Sequence, residues 1–281
     1  MARWMNLLRE TKRLIHLYGI KPKKRLSQSF VVDISLLERM INYANVGSND
    51  VILDAGAGFG FLTSMLAERA KKVIAVEIDP KIVKILMRRT QALENIEIIY
   101  GDILQIDLPS FDKTVSNPPY AISSALTLKL LDCKLDQIVL TLQEEFAHRL
   151  IATKGSPDYG RLTVAAYYRA EVELLEVVPR RAFYPPPKVS SAVVHFTPRK
   201  APFAVLDENF FFDLVRVLFT QRNRKVRKAL TIFMRDHLCF EEKESKELIV
   251  ELPYLEERVD KLAPEDFGLL SNELLKRIRH L

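Results

Sequence analysis

The stretch Val51-Ile52-Leu53-Asp54-Ala55-Gly56-Ala57-Gly58-Phe59-Gly60 joins an apolar run to a closely spaced set of glycines. The run predicts a buried strand, and the apolar residues that recur at helical spacing after Gly60 predict a helix. A glycine turn between a strand and a helix lets the backbone approach a ligand and points the helix N-terminus at it. The stretch therefore predicts an α/β fold that holds a nucleotide-like ligand at this turn.

The spacing of these glycines separates two classes of nucleotide-binding protein. Dinucleotide-binding folds favour Gly-x-Gly-x-x-Gly, in which the last glycine allows close helix packing. Here the third glycine comes one position earlier, and Asp54 precedes the set. This acidic-x-Gly-x-Gly-x-Gly pattern is similar to the first motif of S-adenosylmethionine-dependent methyltransferases, and it leaves a nicotinamide oxidoreductase as a distant alternative.

Acidic residues follow the next two predicted strands along the chain. Residues 72–77 end in Glu77, which lies about 20 residues beyond the first glycine, the distance at which doubly wound folds place a carboxylate on ribose hydroxyls. Asp79 before Pro80 predicts a helix N-cap rather than a ligand. Residues 96–100 lead to Asp102, which we expect to accept a hydrogen bond from an adenine amino group. Because ligands bind outside the carboxyl ends of parallel strands, these acids indicate one site.

A fourth short strand, residues 114–116, ends in Asn117-Pro118-Pro119-Tyr120. On its own this stretch also fits a surface proline turn with a capping Asn. Prolines lack backbone N–H donors, so the turn leaves carbonyl oxygens free to accept beside the Asn amide oxygen, and the Tyr ring offers a stacking face. Its place after three ligand-binding strand ends favours a clamp for the amino group of a base, with Asn117, Pro118 and Tyr120 as the catalytic residues.

The rest of the chain predicts a second, smaller domain. Strand and helix patterns continue through residues 125–131, 137–142, 172–178 and 192–196, and the pattern breaks at residues 198–202. From residue 209 onward the periodicity is helical. We therefore expect an N-terminal basic amphipathic extension over 1–20, the ligand-binding α/β domain over 21–200 and a helical domain over 201–281.

One proline-rich stretch of the first domain has two interpretations. Residues 183–189 read Phe183-Tyr184-Pro185-Pro186-Pro187-Lys188-Val189. They fit either a structural crossover or a wall of the base pocket, in which Phe183 stacks on the base opposite Tyr120.

Charge and composition indicate a nucleic-acid partner. The 281 residues are 48% hydrophobic, which allows a sizeable core, and the formal net charge is +6. Two basic runs flank the predicted base pocket in the sequence, and such runs suit the phosphates of RNA or DNA. The candidate phosphate-binding residues are Lys23, Lys24, Arg25, Arg222, Arg224, Lys225, Arg227 and Lys228.

The remaining composition bears on compartment and metals. Cys133 and Cys239 have neither ligand spacing with the five His nor the density of a disulfide framework, so we expect no metal site and a reducing compartment. No apolar run reaches the roughly 20 residues of a membrane span. The basic N-terminus lacks the apolar core of a signal peptide, and Glu10 argues against a mitochondrial leader. We expect a cytoplasmic, monomeric protein without membrane contact.

Motifs spread over nearly the whole chain resemble the KsgA family of small-subunit ribosomal RNA adenine dimethyltransferases, in its archaeal branch. In the first half they are residues 24–31, the glycine turn, Glu77, Gly101-Asp102 and Asn117-Pro118-Pro119-Tyr120. In the second half they are residues 158–162, 183–194, 221–230 and 262–267.

This resemblance implies a Rossmann-like class I methyltransferase fold with a helical RNA-binding C-terminal domain. It also implies S-adenosylmethionine as the cofactor and dimethylation of N6 on two adjacent adenosines near the 3′ end of small-subunit ribosomal RNA, as a step of ribosome biogenesis. The cofactor-binding residues that it implies are Gln28, Ser29, Val31, Gly56, Gly58, Glu77, Asp102 and Asn117.

The chain departs from the family pattern at a few of these positions. Ser27 and Ser29 replace the usual Gly and Asn or His, and Val31 replaces a Leu. Pro118 stands where the family has Leu, and this form is also typical of methyltransferases that act on amino groups of DNA bases. A DNA adenine methyltransferase therefore stays an alternative, as does a non-enzymatic assembly or transcription factor on the same fold.

Overall fold

The computed structural model describes residues 6–22 and 28–280, and these form two compact units. The first unit takes the chain up to Ala147 together with Glu171–Pro198, and the second takes His148–Ala170 with Arg199–Leu281. The division at Pro198 lies close to the boundary that we predicted at residue 200. Residues 148–170, which we assigned to the first domain, cluster instead with the second unit, because Tyr159, Val164 and Tyr168 belong to its hydrophobic core.

The first unit alternates strands and helices along most of its length. Its strands are β1 (Phe30–Val31), β2 (Val51–Ala55), β3 (Lys72–Glu77), β4 (Ile96–Tyr100), β5 (Lys113–Ser116), β6 (Gln137–Gln143), β7 (Ala170–Val178), β8 (Phe183–Tyr184) and β9 (Ser191–Pro198). Its helices are α1 (Leu7–Leu17), α2 (Ile34–Tyr43), α3 (Phe61–Ala67), α4 (Pro80–Thr90), α5 (Ser123–Leu131) and α6 (Glu144–Leu150), the last of which contains the division between the units.

Seven of these strands form one mixed sheet in the order β4-β3-β2-β5-β6-β9-β7. The neighbouring strands from β4 to β6 are parallel, whereas β9 runs antiparallel to β6. The parallel register brings the ends of β2, β3, β4 and β5 to one edge of the sheet. The predicted strands 72–77 and 96–100 are confirmed residue for residue.

Local capping explains where two helices of this unit begin. The Asp79 carboxylate accepts from the backbone N–H of Lys81, and Pro80 occupies the first helical turn, so the predicted N-cap of α4 is confirmed. Asp33 caps α2 in the same way. These caps fix the ends of helices that pack beside the ligand-facing edge of the sheet.

The N-terminal helix is part of the first unit's core. The amphipathic pattern predicts a helix over residues 1–20, and α1 covers Leu7–Leu17 of that range. Leu7, Leu14 and Ile20 are buried in the same cluster as residues of α2, α3 and α4. Within the described ranges, no helix is long and apolar enough to cross a membrane.

The second unit is helical, as the periodicity predicts. Its helices are α7 (Arg161–Arg169), α8 (Glu208–Thr220), α9 (Val226–Leu238), α10 (Glu242–Ile249) and α11 (Pro264–Arg279). Its core includes a cluster of aromatic side chains: the Tyr168 ring meets Phe203, Phe211 and Phe212 with centroids 5.1 to 5.5 Å apart. The apolar stripe of α8 therefore packs the core, as expected.

Candidate active site

A cavity opens at the carboxyl ends of the parallel strands in the first unit, and most of the predicted site residues meet there. An adjoining cavity shares Gly56 and Glu77 with it and is lined by Asp102. Predicted residues that line the first cavity are Gln28, Ser29, Val31, Gly56, Gly58, Glu77, Asn117, Pro118 and Tyr120.

The glycine turn and the proline turn touch each other across this cavity. Gly56 has a φ of 82°, in the left-handed region, and a Cβ built on it would lie 2.9 Å from Cδ of Pro119. A side chain at this position would therefore strain the backbone and collide with the proline ring. Glycine lets the ends of β2 and β5 approach closely enough to form a single ligand-binding wall.

Glu77 is a buried carboxylate held in place by backbone donors. Its Oε2 accepts from the N–H of Gly58 at 3.0 Å and its Oε1 from the N–H of Asp79 at 2.9 Å. Burial raises the pKa of this carboxyl, while the backbone hydrogen bonds oppose the rise. Each carboxylate oxygen accepts more than one hydrogen bond, so Glu77 retains acceptor capacity for ligand hydroxyls.

Asp54 is a second buried carboxylate of the cavity, and we did not predict it as a site residue. Its side chain is 1% exposed and accepts from the Thr63 hydroxyl at 2.7 Å. Burial raises its pKa to about 7, and the nearby Glu77 charge adds to the rise. The acidic position directly before the glycine pattern was the sequence signal for this residue.

The Asn117 side chain is oriented by one hydrogen bond and leaves its oxygen available. Its Nδ2 donates to the backbone oxygen of Ser29 at 3.3 Å, which fixes the direction of the amide. Its Oδ1 is buried without a hydrogen-bond partner among the described residues. Since buried polar atoms are rarely left unpaired, this oxygen in the cavity wall marks a position for a donor from a ligand.

Tyr120 follows in a short 3₁₀ turn, and its hydroxyl is tied to the start of β9. The hydroxyl shares a short hydrogen bond with Oγ of Ser191, which is fully buried. Burial raises the pKa of Tyr120, so the phenol stays neutral. The contact holds the half-buried ring at the cavity, where a base could stack on it.

The proline-rich stretch reaches the site through β1 and β8. These two strands pair antiparallel, with Val31 opposite Phe183, and the Ser29 hydroxyl donates to the Pro185 oxygen at 2.7 Å. The Phe183 ring, however, is only 2% exposed and packs in the core of the unit, and it does not line the cavity. Stacking on a base would require this ring to become exposed.

The first predicted basic run, Lys23, Lys24 and Arg25, lies outside the described residues. The second run lies in the second unit, in the loop after α8 and the first turn of α9. There the Arg222 guanidinium donates to backbone oxygens of residues 156 and 157 at 3.0 and 2.6 Å, so this side chain also links two loops.

The other four residues of the second run are exposed. Lys225 and Arg227 both pair with the Glu256 carboxylate, whereas Arg224 and Lys228 extend from the surface of the same unit. Ion pairs between exposed side chains are weak, so phosphates could compete for Lys225 and Arg227.

Comparisons with known proteins show one family. A family profile described as "Ribosomal RNA adenine dimethylase" matches residues 19–274. The chain is 43% identical over 263 residues to the probable ribosomal RNA small subunit methyltransferase A of Methanosarcina acetivorans, covering 93% of this chain and 96% of that protein. To the Methanopyrus kandleri protein of the same description it is 44% identical, covering 88% and 90%.

Two solved structures are similar over most of the chain. A dimethyladenosine transferase from Plasmodium falciparum is 29% identical with a TM-score of 0.77, covering 88% of this chain and 98% of that one. The 23S rRNA methyltransferase ErmE is 28% identical with a TM-score of 0.63, covering 87% and 99%.

Proposed function

The chain belongs to the ribosomal RNA adenine dimethylase family, and from this premise we propose that it modifies the RNA of the small ribosomal subunit. Its activity is S-adenosylmethionine-dependent dimethylation of adenine in ribosomal RNA. The proposed targets are N6 of two adjacent adenosines near the 3′ end. The small-subunit assignment is supported by archaeal relatives that carry this description at 38 to 44% identity, well above the 28% of the 23S rRNA methyltransferase.

The unpartnered Oδ1 of Asn117 is the observation that carries the proposed chemistry. An exocyclic amine has hydrogens to donate, and we propose that this buried acceptor and the carbonyl of Pro118, which also lines the cavity, accept them together. Two acceptors on one amino group fix its plane and point the nitrogen lone pair in a single direction. Such positioning supplies several kcal/mol of a transfer barrier.

The cavity residues fit the parts of S-adenosylmethionine. When bound, this cofactor supplies an electrophilic methyl group on a positively charged sulfur. We propose that Glu77 accepts from ribose hydroxyls and Asp102 from the adenine amino group, because they line adjoining cavities that share the Gly56 turn. Gln28, Ser29, Val31 and Gly58 complete the binding wall, with Ser29 and Val31 acting mainly through backbone atoms.

The target adenosine reaches the cavity only after leaving its stack in the RNA, at a cost of a few kcal/mol. We propose that the Tyr120 ring offsets part of this cost by stacking on the extruded base. We also propose that Arg224 and Lys228 in the second unit contribute to RNA affinity through phosphate contacts.

Methylation assays with a choice of substrates test this function. Unmodified small subunits, large subunits and duplex DNA are each incubated with methyl-labelled S-adenosylmethionine, and we expect label to enter small-subunit RNA. Transfer to duplex DNA would favour the alternative of a DNA adenine methyltransferase. Preserved biological function in Glu77→Ala and Asn117→Ala variants would instead favour a non-enzymatic factor.

A further inference from the structure

Four exposed cations of the first unit surround the proline-rich stretch that contacts the active site. Three of them lie within or next to the proline-rich stretch in the sequence, and the fold brings the fourth, from α1, to the same stretch. We call them the pocket-side cations, and they are Lys12, Arg180, Arg181 and Lys188.

A ring contact and a hydrogen bond tie Lys12 and Arg180 to the proline-rich stretch, which is itself bonded to the wall of the base cavity. The Lys12 ammonium lies 5.3 Å from the centroid of the Tyr184 ring, next to the Pro185 carbonyl that accepts from Ser29 of the cavity wall. Arg180, which precedes the stretch, donates from Nε to the Pro187 oxygen at 2.6 Å and so contacts the residue before Lys188. The cations therefore lie along a stiff segment that is bonded directly to the site.

Positive charge is in excess around the proline-rich stretch, and this favours the binding of a polyanion. Residues 177–206 contain no Asp or Glu. Among the ion pairs within the described part of the chain, none joins a pocket-side cation to a carboxylate, whereas Lys225 and Arg227 share Glu256 in the second unit. A ligand phosphate at the pocket-side cations would displace no internal salt bridge.

The donors that remain on these cations suit phosphate oxygens. A guanidinium carries five N–H donors in a fixed fork, and the contact with Pro187 uses only the Nε hydrogen of Arg180. The ring of Tyr184 favours a defined position for the Lys12 ammonium through a cation–π contact. Groups held in this way lose less conformational freedom when a ligand binds.

We propose that the pocket-side cations bind the phosphates of the nucleotides that flank the extruded adenosine. This surface rests on the proposed function, because a base held at Asn117 and Tyr120 brings its neighbouring phosphates to the edge of the same cavity. It acts in the first unit, next to the chemistry, and is separate from the basic run at residues 222–228. The cations position the RNA and take no part in methyl transfer.

The test compares two triple variants of equal charge change in the full-length protein. One is Arg180→Gln/Arg181→Gln/Lys188→Gln, and the control is Lys71→Gln/Lys84→Gln/Lys134→Gln, which removes three exposed lysines elsewhere on the same unit. Affinity for a short single-stranded RNA with two adjacent adenosines is measured over a range of salt concentrations. The Michaelis constants for RNA and for S-adenosylmethionine are measured in parallel.

We expect the pocket-side variant to lower the slope of log affinity against log salt by about two, at about 0.7 per single-strand phosphate contact. Its KM for RNA should rise about tenfold with an unchanged KM for S-adenosylmethionine. Equal losses in both triple variants, or an unchanged slope in the pocket-side variant, would overturn the proposal.

Two further observations keep the outcome interpretable. If the triple variant does not fold, single Arg181→Gln and Lys188→Gln variants should each lower the slope by about 0.7, and unchanged slopes in both would reject the surface. A wild-type protein that methylates no ribosomal RNA would contradict the proposed function. A wild-type protein that is active while the pocket-side variant keeps its full RNA affinity contradicts only this inference.

Discussion

Replacing Asn117 with alanine removes the amide oxygen that we propose holds the amino group of the target adenine. The Oδ1 atom is buried without a partner in the described residues, so its bond to the substrate amine is made in a site sheltered from water. Losing a hydrogen bond of this kind costs about 1 to 3 kcal/mol. At 1.4 kcal/mol per factor of ten, the expected fall in kcat/KM for RNA is about 5- to 150-fold.

The resemblance also implies a cofactor contact at Asn117, but we expect the substitution to affect the amino group of the substrate far more than cofactor binding. The bond from Asn117 Nδ2 to the Ser29 oxygen is 3.3 Å long, beyond the usual range for a strong N–H to O contact. We therefore expect the Kd for S-adenosylmethionine, measured by calorimetry, to change by less than about threefold. Asn117→Asp should weaken cofactor binding more, because its second oxygen would face the Ser29 carbonyl without a hydrogen.

A matched asparagine provides the control for this experiment. Asn95 donates from Nδ2 to the carbonyl oxygens of Ala67 and Ala70 at 2.9 and 3.1 Å and lines neither cavity. Asn95→Ala should lower thermal stability while keeping kcat/KM within about twofold of wild type. The proposed role of Oδ1 is wrong if Asn117→Ala keeps the wild-type kcat/KM for RNA. It is also wrong if the fall in kcat/KM is explained entirely by weaker cofactor binding.

Three other substitutions separate stability, base holding and cofactor binding. Because burial raises the pKa of Asp54 from 3.8 to about 7, the folded state binds a proton more readily than the unfolded state, and the free energy of unfolding falls as pH rises from about 4 to 7. The melting temperature of Asp54→Asn should therefore rise relative to that of wild type between pH 5 and pH 8. Ser191→Ala removes the hydroxyl that holds Tyr120, so steady-state kinetics should show KM for RNA raised about fivefold at unchanged cofactor affinity. Glu10→Gln removes the ion pair at 2.8 Å to Arg89, which donates to a carbonyl of the glycine turn, and calorimetry should show about threefold weaker cofactor binding.

Neighbouring residues supply controls for these variants. Ser190→Ala changes the adjacent serine and should keep the wild-type KM for RNA. Arg13→Gln removes only the exposed partner of Glu10 and should keep cofactor affinity. A pH-independent difference in stability between Asp54→Asn and wild type would contradict the raised pKa of Asp54. Equal effects of Ser191→Ala and Ser190→Ala, or of Glu10→Gln and Arg13→Gln, would show that the hydrogen bond or ion pair is not responsible.

The parallel part of the fold could be predicted from the sequence because its signals are local. Runs such as residues 72–77 and 96–100 are apolar and end in a polar residue, and both strands appear with the predicted bounds. Glu77 and Asn117 could be placed in one site because the ends of parallel strands share an edge. Their common cavity follows from topology alone.

Long-range packing limited the rest of the prediction. Residues 148–170 lie in the sequence between strands that we assigned to the first domain, but their apolar side chains complete the core of the second unit. Nothing local to the sequence indicates that Lys12 meets Tyr184, or that Tyr120 bonds to Ser191. These pairs form by tertiary packing between segments that are distant in sequence.

Long-range packing also decides the position of Phe183, which lies in the core and not at the site. Its aromatic character beside a proline run is typical of a stacking residue, and this role was one of the two interpretations that we gave for the stretch. In the structure its pairing with Val31 turns the ring into the core, where apolar burial is favourable. Periodicity alone could not decide which face of so short a strand is buried.

Mapping the methylated nucleosides of small-subunit RNA shows which atoms this protein modifies. Unmodified small subunits are reacted with the protein and S-adenosylmethionine, and their RNA is digested and analysed by mass spectrometry. We predict N6,N6-dimethyladenosine at two adjacent positions near the 3′ end, formed about 5- to 150-fold more slowly by Asn117→Ala at subsaturating RNA. Methyl groups on another atom or another base, or on large-subunit RNA alone, would contradict it.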